Sequence, residues 1–209
     1  MFNNMIKKSV IKSQHCQRNW DLDKNVPAED IEVMRIAVTQ CPSKQNYSYY
    51  KPYIITNRDI IEAIYDQTDG FDINDEGDTV KNPQVKANVL VAFVLDDDYM
   101  NGTTYREANV AEARKLGYEM DEQKRQRLLS TGIAAGYLNL SSTLMGYSTG
   151  CCTCFNEANV RKILSADKEV MLLMGVGWAD KTRSRLEMHD DRSFVFPSCT
   201  KHLDAVMVT

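Results

Sequence analysis

The chain has 209 residues, 25 Lys and Arg against 29 Asp and Glu, and a formal net charge of -4, which excludes a nucleic-acid binder working by bulk charge. Its 43% hydrophobic and 26% charged residues exclude a disordered or fibrous chain. A chain of this length buries roughly 70% of its unfolded surface, so it builds a core without disulfide or metal staples and reads as a single domain over 1–209.

The first residues, MFNNMIKKSVIKSQHC, lack the apolar run of a signal peptide and carry Lys where a bilayer anchor would be apolar. The expectation is a cytoplasmic protein. After a short helix, Gln14, His15, Cys16 and Arg18 offer donors and one permanent charge to an anion. The plainer reading is a capped surface loop with a solvated Arg. A helix is predicted over Ala28 to Gln40, opened by Pro27 with Glu29 and Asp30 in its first turn, and with Ile31, Met34 and Val38 on one apolar face. Pro42 stops it, and Pro42-Ser43-Lys44-Gln45-Asn46 is either a stiff donor-rich loop or an ordinary helix-ending turn. Tyr47, Tyr49, Tyr50 and Tyr53 suit stacking on a planar ligand or the rim of a core.

Tyr53 to Thr56 reads as a strand, Arg58 to Tyr65 as a helix, and Asn88 to Leu95 as a strand buried on both faces and stopped by Asp96 to Asp98. Thr104 to Lys115 reads as a polar helix and Asp121 to Met145 as a long one, apolar after Arg127. Leu128 to Asn156 carries no charge but too many hydroxyl and amide groups for lipid, so it reads as a buried core helix with its exit loop. Gly132 and Gly136 share one face, which suits close approach of a partner helix or a second subunit. A helix over Asn156 to Leu164, a buried strand over Glu169 to Gly177 and a short strand over Ser193 to Phe196 complete a layered α+β or α/β domain.

Six cysteines in a chain of this size are expected to be reduced thiols. Cys151 and Cys154, with Cys199 and His202, supply four zinc-type ligands. The two halves lie far apart in sequence and Cys152 is surplus, so buried or ligand-adjacent thiols are favoured over structural zinc, with a redox C-x-x-C behind both, and no metal is expected. Asp72, Asn74, Glu76 and Gly77 imitate a calcium loop, but Pro83 stands where its last ligand belongs. Gly175-Val176-Gly177 does not extend to a dinucleotide fingerprint.

Taken in order, these pieces resemble the FMN-dependent nitroreductase family. Gln14 to Trp20 is similar to the family's phosphate-binding segment, and Pro42-Ser43-Lys44-Gln45-Asn46 to its P-S-x-x-N loop. Asn82-Pro83-Gln84 before a buried strand, the long helix with its Leu144 to Gly150 exit, Cys151 to Phe155, and Met174 to Trp178 followed by Arg183 and Arg185 continue the likeness. Departures are Gln14 for a usual Arg, Tyr49-Tyr50 for a usual Pro-Trp, and Thr153-Cys154 for a common Glu-Gly. The resemblance implies an α+β layered fold with a central mixed sheet flanked by helices and the long helix at a homodimer interface. It implies FMN held by Gln14, His15, Cys16, Arg18, Pro42, Ser43, Lys44, Asn46, Asn82, Gln84, Cys151, Cys152, Thr153, Cys154, Arg183 and Arg185, with Ser43 and Asn46 reaching over from the other subunit. Tyr49 and Tyr50 would line the acceptor pocket, 99–127 would form a substrate lid and 193–209 a partner-wrapping tail.

The implied activity is ping-pong two-electron reduction of nitroaromatics, quinones or similar small acceptors at the expense of NADH or NADPH, with no catalytic side chain, no nucleic acid and no membrane. The alternative is a flavin-binding or zinc-stabilised interaction protein without turnover.

Overall fold

Strand β2 (Val89–Leu95), VLVAFVL, is apolar at every position and buried throughout except at Leu95, as expected of a strand covered on both faces. The computed structural model describes residues 2–70, 80–96, 121–198, 201, 203 and 205–208, with only the backbone of Gln45 and 121–124. β1 (Tyr50–Ile55), β3 (Ser148–Cys152) and β4 (Val170–Gly177) join β2 in a sheet of order β1-β2-β4-β3. β2 sorts its side chains by alternation. Leu90, Ala92 and Val94 enter one core with Val170, Leu173 and residues of α3 (Arg58–Tyr65) and α5 (Glu157–Ile163). Val89, Val91 and Phe93 enter another with Met174 and Val176, covered by α2 (Ala28–Thr39) and α4 (Asp121–Leu144).

Local chemistry sets the helix ends. Asn57 caps α3 by accepting from Ile60 N at 3.2 Å, and Asn156 caps α5 by accepting from Asn159 N at 3.1 Å, each satisfying an orphan N–H. The acidic first turn of α2 gains a tertiary role, since the Tyr147 hydroxyl donates to the Asp30 carboxylate. α1 (Phe2–Ser13) lies against α4; its Ser13 carbonyl accepts from Asn139 Nδ2 at 2.8 Å, and Lys12 Nζ donates to the Gly146 and Tyr147 carbonyls.

Four expectations are corrected. The sheet is not mixed: all three strand pairings are antiparallel, and the single parallel pairing among the described residues is the isolated Cys16–Thr149 bridge. Ser193 to Phe196 is not a strand, because its backbone pairs only at isolated points with the loop at 186–188. The exit expected to be a loop is partly β3, which pairs with β4 from Ser148 to Cys152. α4 is not a buried core helix. Ala134 and Leu138 face inward with Ser130, Thr131, Ser142 and Thr143, while Leu128, Leu129, Ile133, Tyr137 and Leu144 are exposed. The expected helix over Thr104 to Lys115 lies outside the described residues, as does the calcium-loop imitation. Among the described residues no helix is long and apolar enough to cross a membrane.

Phe93 is fully buried and meets Tyr50 edge-on at 5.4 Å. Phe93→Ala is expected to cost about 3–5 kcal/mol, read as a lower denaturant midpoint at unchanged m-value. A shift too small to resolve would mean that β2 is not the centre of the core.

Candidate functional site

Gly150 of β3 and Gly175 of β4 are cross-strand partners, and their missing side chains leave a flat place on the sheet. The 3-10 turn Pro83–Val85 presses into it. A β-carbon at Gly175 would overlap the Gln84 carbonyl oxygen, and one at Gly150 would lie 2.9 Å from both the Gln84 β-carbon and the Gln17 carbonyl oxygen. Asn82 starts the turn by accepting from Gln84 N at 3.1 Å, and its own N–H donates to Thr68 Oγ1 at 2.8 Å. The buried Gln84 side chain is thereby fixed beside the segment that follows α1.

That segment crosses the end of β3, where Gln17 N donates to the Thr149 carbonyl at 2.8 Å. The Gln17 side-chain oxygen accepts from the backbone N–H groups of Arg18 and Asn19, which turns the Arg18 side chain inward. Arg18 is buried, with its guanidinium 4.5 Å from the centre of the Phe196 ring. With the Gln84 amide oriented to satisfy both of its ends, its oxygen accepts from Arg18 Nη2 at 3.1 Å and its nitrogen donates to the Cys151 carbonyl. Arg18 Nε is buried without a hydrogen-bond partner, and among the described residues no carboxylate pairs with the guanidinium. Desolvation lowers its pKa, the Cys16 thiol raises it, and the Arg185 cation lowers it again. A guanidinium does not give up its proton, so the site holds a charge that wants an anion.

The two C-terminal arginines separate. Arg183 is spent on its own loop, donating to the Met188 and His189 carbonyls and lying 3.5 Å from the Glu187 carboxylate. Arg185, held by one bond of 3.2 Å to Ser198 Oγ, is the cation whose field reaches Arg18. Cys16 is half-buried in the same cluster, while Gln14 and His15 are exposed at the turn before it. Thr153 is exposed, and Asn82 joins the cluster through Nδ2, which donates to Cys154 Sγ at 3.1 Å.

The other motif lies elsewhere. Ser43 to Asn46 feeds β1, the edge opposite β3 in the sheet order. Three strand spacings separate the edges, about 14 Å at the usual repeat. Here a groove of about 370 Å³ is lined by Ser43, Asn46, Tyr50, Lys51 and neighbours. Ser43 Oγ donates to the Tyr47 carbonyl at 2.6 Å, and Asn46 adopts a left-handed φ of 59°, a conformation that Asn tolerates. Pro42 and Lys44 are exposed. Tyr50 reaches the groove wall with its hydroxyl on the Val38 carbonyl and 3.0 Å from Cys41 Sγ. Tyr49 is buried and meets Tyr47 edge-on.

The cysteines pair differently from their spacing. On β3, Cys151 is exposed and Cys152 buried, and it is Cys152 that meets Cys154, at 3.4 Å between sulfurs. Among the described residues no group of three His, Cys, Asp or Glu converges on a metal position; Cys199 and His202 lie outside them.

The model of the nitroreductase family matches residues 11–178. The chain belongs to the nitroreductase family. Its fold is shared with a nitroreductase-like protein from Streptococcus mutans, at TM-score 0.65 and 17% identity over 88% of this chain and 93% of that one. A protein assigned as a nitroreductase from Exiguobacterium sibiricum, solved in complex with FMN, matches at TM-score 0.62 and 16% identity over 85% and 90%. One assigned as an NAD(P)H:FMN oxidoreductase from Staphylococcus epidermidis matches at TM-score 0.63 and 14% identity over 86% and 89%. Among curated protein sequences none matches this chain.

Within this nitroreductase-family chain, sequence reasoning missed Gln17, Phe196 and the Gly150–Gly175 pair. The glycines were readable only once Ser148 to Cys152 was known to be a strand. Arg183→Ala is expected to destabilise the protein by about 2–3 kcal/mol, because two carbonyls lose charged donors. Arg185→Ala is expected to stay within about 0.5 kcal/mol. Chemical unfolding of both variants checks the division, and equal losses would contradict it.

Proposed function

We propose that this chain is an FMN-dependent oxidoreductase that takes electrons from NADH or NADPH and reduces nitroaromatics, quinones or similar small electron-poor acceptors, acting as a cytoplasmic homodimer. The observation that carries the reading is Arg18, a buried cation with an orphaned Nε and, among the described residues, no carboxylate partner. A phosphate dianion answers that chemistry, since its oxygens accept from a guanidinium fork in a way that water-poor surroundings strengthen. The FMN in the related Exiguobacterium structure supports the choice of phosphate ester. Free thiols at all five described cysteines fit a reducing compartment.

FMN supplies a two-electron carrier that a pyridine nucleotide reduces and a small acceptor reoxidises. The chain's own work is to bind and orient it. Arg18 and Arg185 hold the phosphate, Cys16 adds a donor, and His15 and Gln14 stand at the solvent rim. Gln84, pinned by Gly150 and Gly175, keeps Arg18 in place and with Asn82 faces the polar edge of the ring. The segment from Cys151 to Cys154 lies along the flavin, and Arg183 shapes the loop that carries Arg185. Pro42, Ser43, Lys44 and Asn46 close the site from the second copy, with Tyr50 at the acceptor side and Tyr49 behind it.

Two observations support the homodimer. Both motif halves sit at opposite edges of one sheet, and α4 turns Leu129, Ile133 and Tyr137 outward. Gly132 and Gly136 on that exposed face have no neighbour where a β-carbon would stand, so the space their small size leaves is open to a second copy.

Protein mixed with FMN and freed of excess is expected to show visible flavin bands that bleach with NADH or NADPH in the absence of oxygen. Arg18→Ala should weaken FMN binding by about 10- to 100-fold, the loss of a charged hydrogen-bonding partner, while keeping the far-UV circular dichroism of the parent. A folded parent that takes up no FMN overturns the proposal.

A further inference from the structure

The end of β3 and the loop after it carry a thiol pair that flavin chemistry leaves unused. Cys152 is buried and Cys154 exposed, and their sulfurs are 3.4 Å apart. Asn82 Nδ2 donates to Cys154 Sγ at 3.1 Å. That donor is aimed, because Asn82 Oδ1 is engaged by Gln84 N and its backbone N–H by Thr68 Oγ1. Cys154 sulfur therefore accepts from the Asn82 amide and lies against the Cys152 sulfur, whose thiol also reaches the Cys154 carbonyl at 3.5 Å. Hydrogen bonds to the charged form favour it, and they pull the Cys154 thiol down to about 6, the Cys152 bond contributing most. The same bond raises the Cys152 thiol. The pair thus sets an exposed thiol of lowered pKa in front of a buried one of raised pKa. Cys41 lacks this arrangement, its buried sulfur facing the Tyr50 hydroxyl.

We propose that Cys154 and Cys152 form a redox-active pair, with Cys154 the nucleophile toward hydroperoxides and Cys152 the thiol that resolves it to a Cys152–Cys154 disulfide. The Cys154 thiolate attacks the distal oxygen of the hydroperoxide; an S–O bond forms as the O–O bond breaks, and the departing alkoxide or hydroxide takes a proton from solvent. The product is a sulfenic acid, with sulfur oxidised and peroxide reduced by two electrons. The Cys152 sulfur, giving up its proton, then attacks the Cys154 sulfur; the S–S bond forms, the S–O bond breaks, and hydroxide leaves with that proton as water. The sulfurs need to close by about 1.4 Å to reach disulfide length. An external dithiol resets the pair by exchange, taking two electrons' worth of oxidation into its own disulfide.

The chemistry needs no flavin, so its test stands apart from the FMN reading. The full chain is reduced, freed of reductant, exposed to hydrogen peroxide, alkylated with iodoacetamide and cut with trypsin. Cys151, Cys152 and Cys154 fall in one peptide, residues 128–161. After peroxide that peptide is expected to be lighter by about 2 Da before alkylation, to take one alkyl group located on Cys151, and to take three again after dithiothreitol. Cys152→Ser should leave Cys154 as a sulfenic acid that dimedone traps. Without peroxide, alkylation of Cys154 should rise with pH through about 6 and level off, because thiolate is the reactive form. Three alkyl groups after peroxide, a single group located on Cys154, or a folded Cys152→Ser chain without a dimedone adduct would each overturn the proposal.

Discussion

A buried cation with no counter-ion among the described residues constrains this molecule more than any other single feature. Removing a guanidinium from water costs several kcal/mol unless polar partners replace the lost hydration. Arg18 has the Gln84 oxygen and the Phe196 face, which meet only part of that need. Its surroundings are built to hold it there all the same. The glycine pair lets the Pro83–Val85 turn lie flat on the sheet, the turn fixes Gln84, and Gln17 fixes the backbone of Arg18 itself. The chain beyond β4 then folds back to bring Phe196 and Arg185 to the same place. Such effort around an unneutralised charge makes sense when the missing partner is an anion that comes and goes with a ligand.

The sheet order adds a second constraint. Strand β2 pairs with β1 and β4, and β4 with β3, so the Arg18 cluster and the Ser43 to Asn46 loop end on opposite edges. No side-chain motion spans that width. Under the proposed function a planar ligand touched by both would lie between two copies of the chain, with the exposed face of α4 as the surface to join them. Ser130, Thr131, Ser142 and Thr143 face the interior with Ala134 and Leu138, while Leu128, Leu129, Ile133, Tyr137 and Leu144 face out. That inversion is costly in an isolated helix and sensible in one with a partner.

Much of this was legible in the residues. The run of Val89 to Leu95 could only be a buried strand, α2 announces itself by Pro27 at its start, and α3 and α5 form where helices were expected. Arg18 and the Pro42 to Asn46 loop were singled out by chemistry alone. β3 was hidden because Ser-Thr-Gly-Cys-Cys has no strong strand preference and is held by pairing with β4, a long-range contact. The cysteine pairing was hidden with it, since C-x-x-C spacing drew attention to Cys151 while strand alternation turns Cys151 away from Cys154. The difference between Arg183 and Arg185 also depends on tertiary carbonyls that no local pattern reveals. The reading of α4 as a buried core helix failed because an uncharged, apolar stretch looks the same in sequence whether it is covered or exposed.

The most direct test of a site shared between two copies is complementation of FMN binding. Arg18→Ala impairs one half of the site and Ser43→Ala/Asn46→Gly the other, the glycine accepting the left-handed backbone at that position. When the two variants are unfolded together and refolded as a mixture, half the dimers carry one chain of each kind, and each of those regains one intact site. Bound FMN, read from its visible absorption, should then recover to roughly one site in four of the parent level, while each variant alone stays low. No recovery in the mixture would place the whole site within one chain and contradict the account.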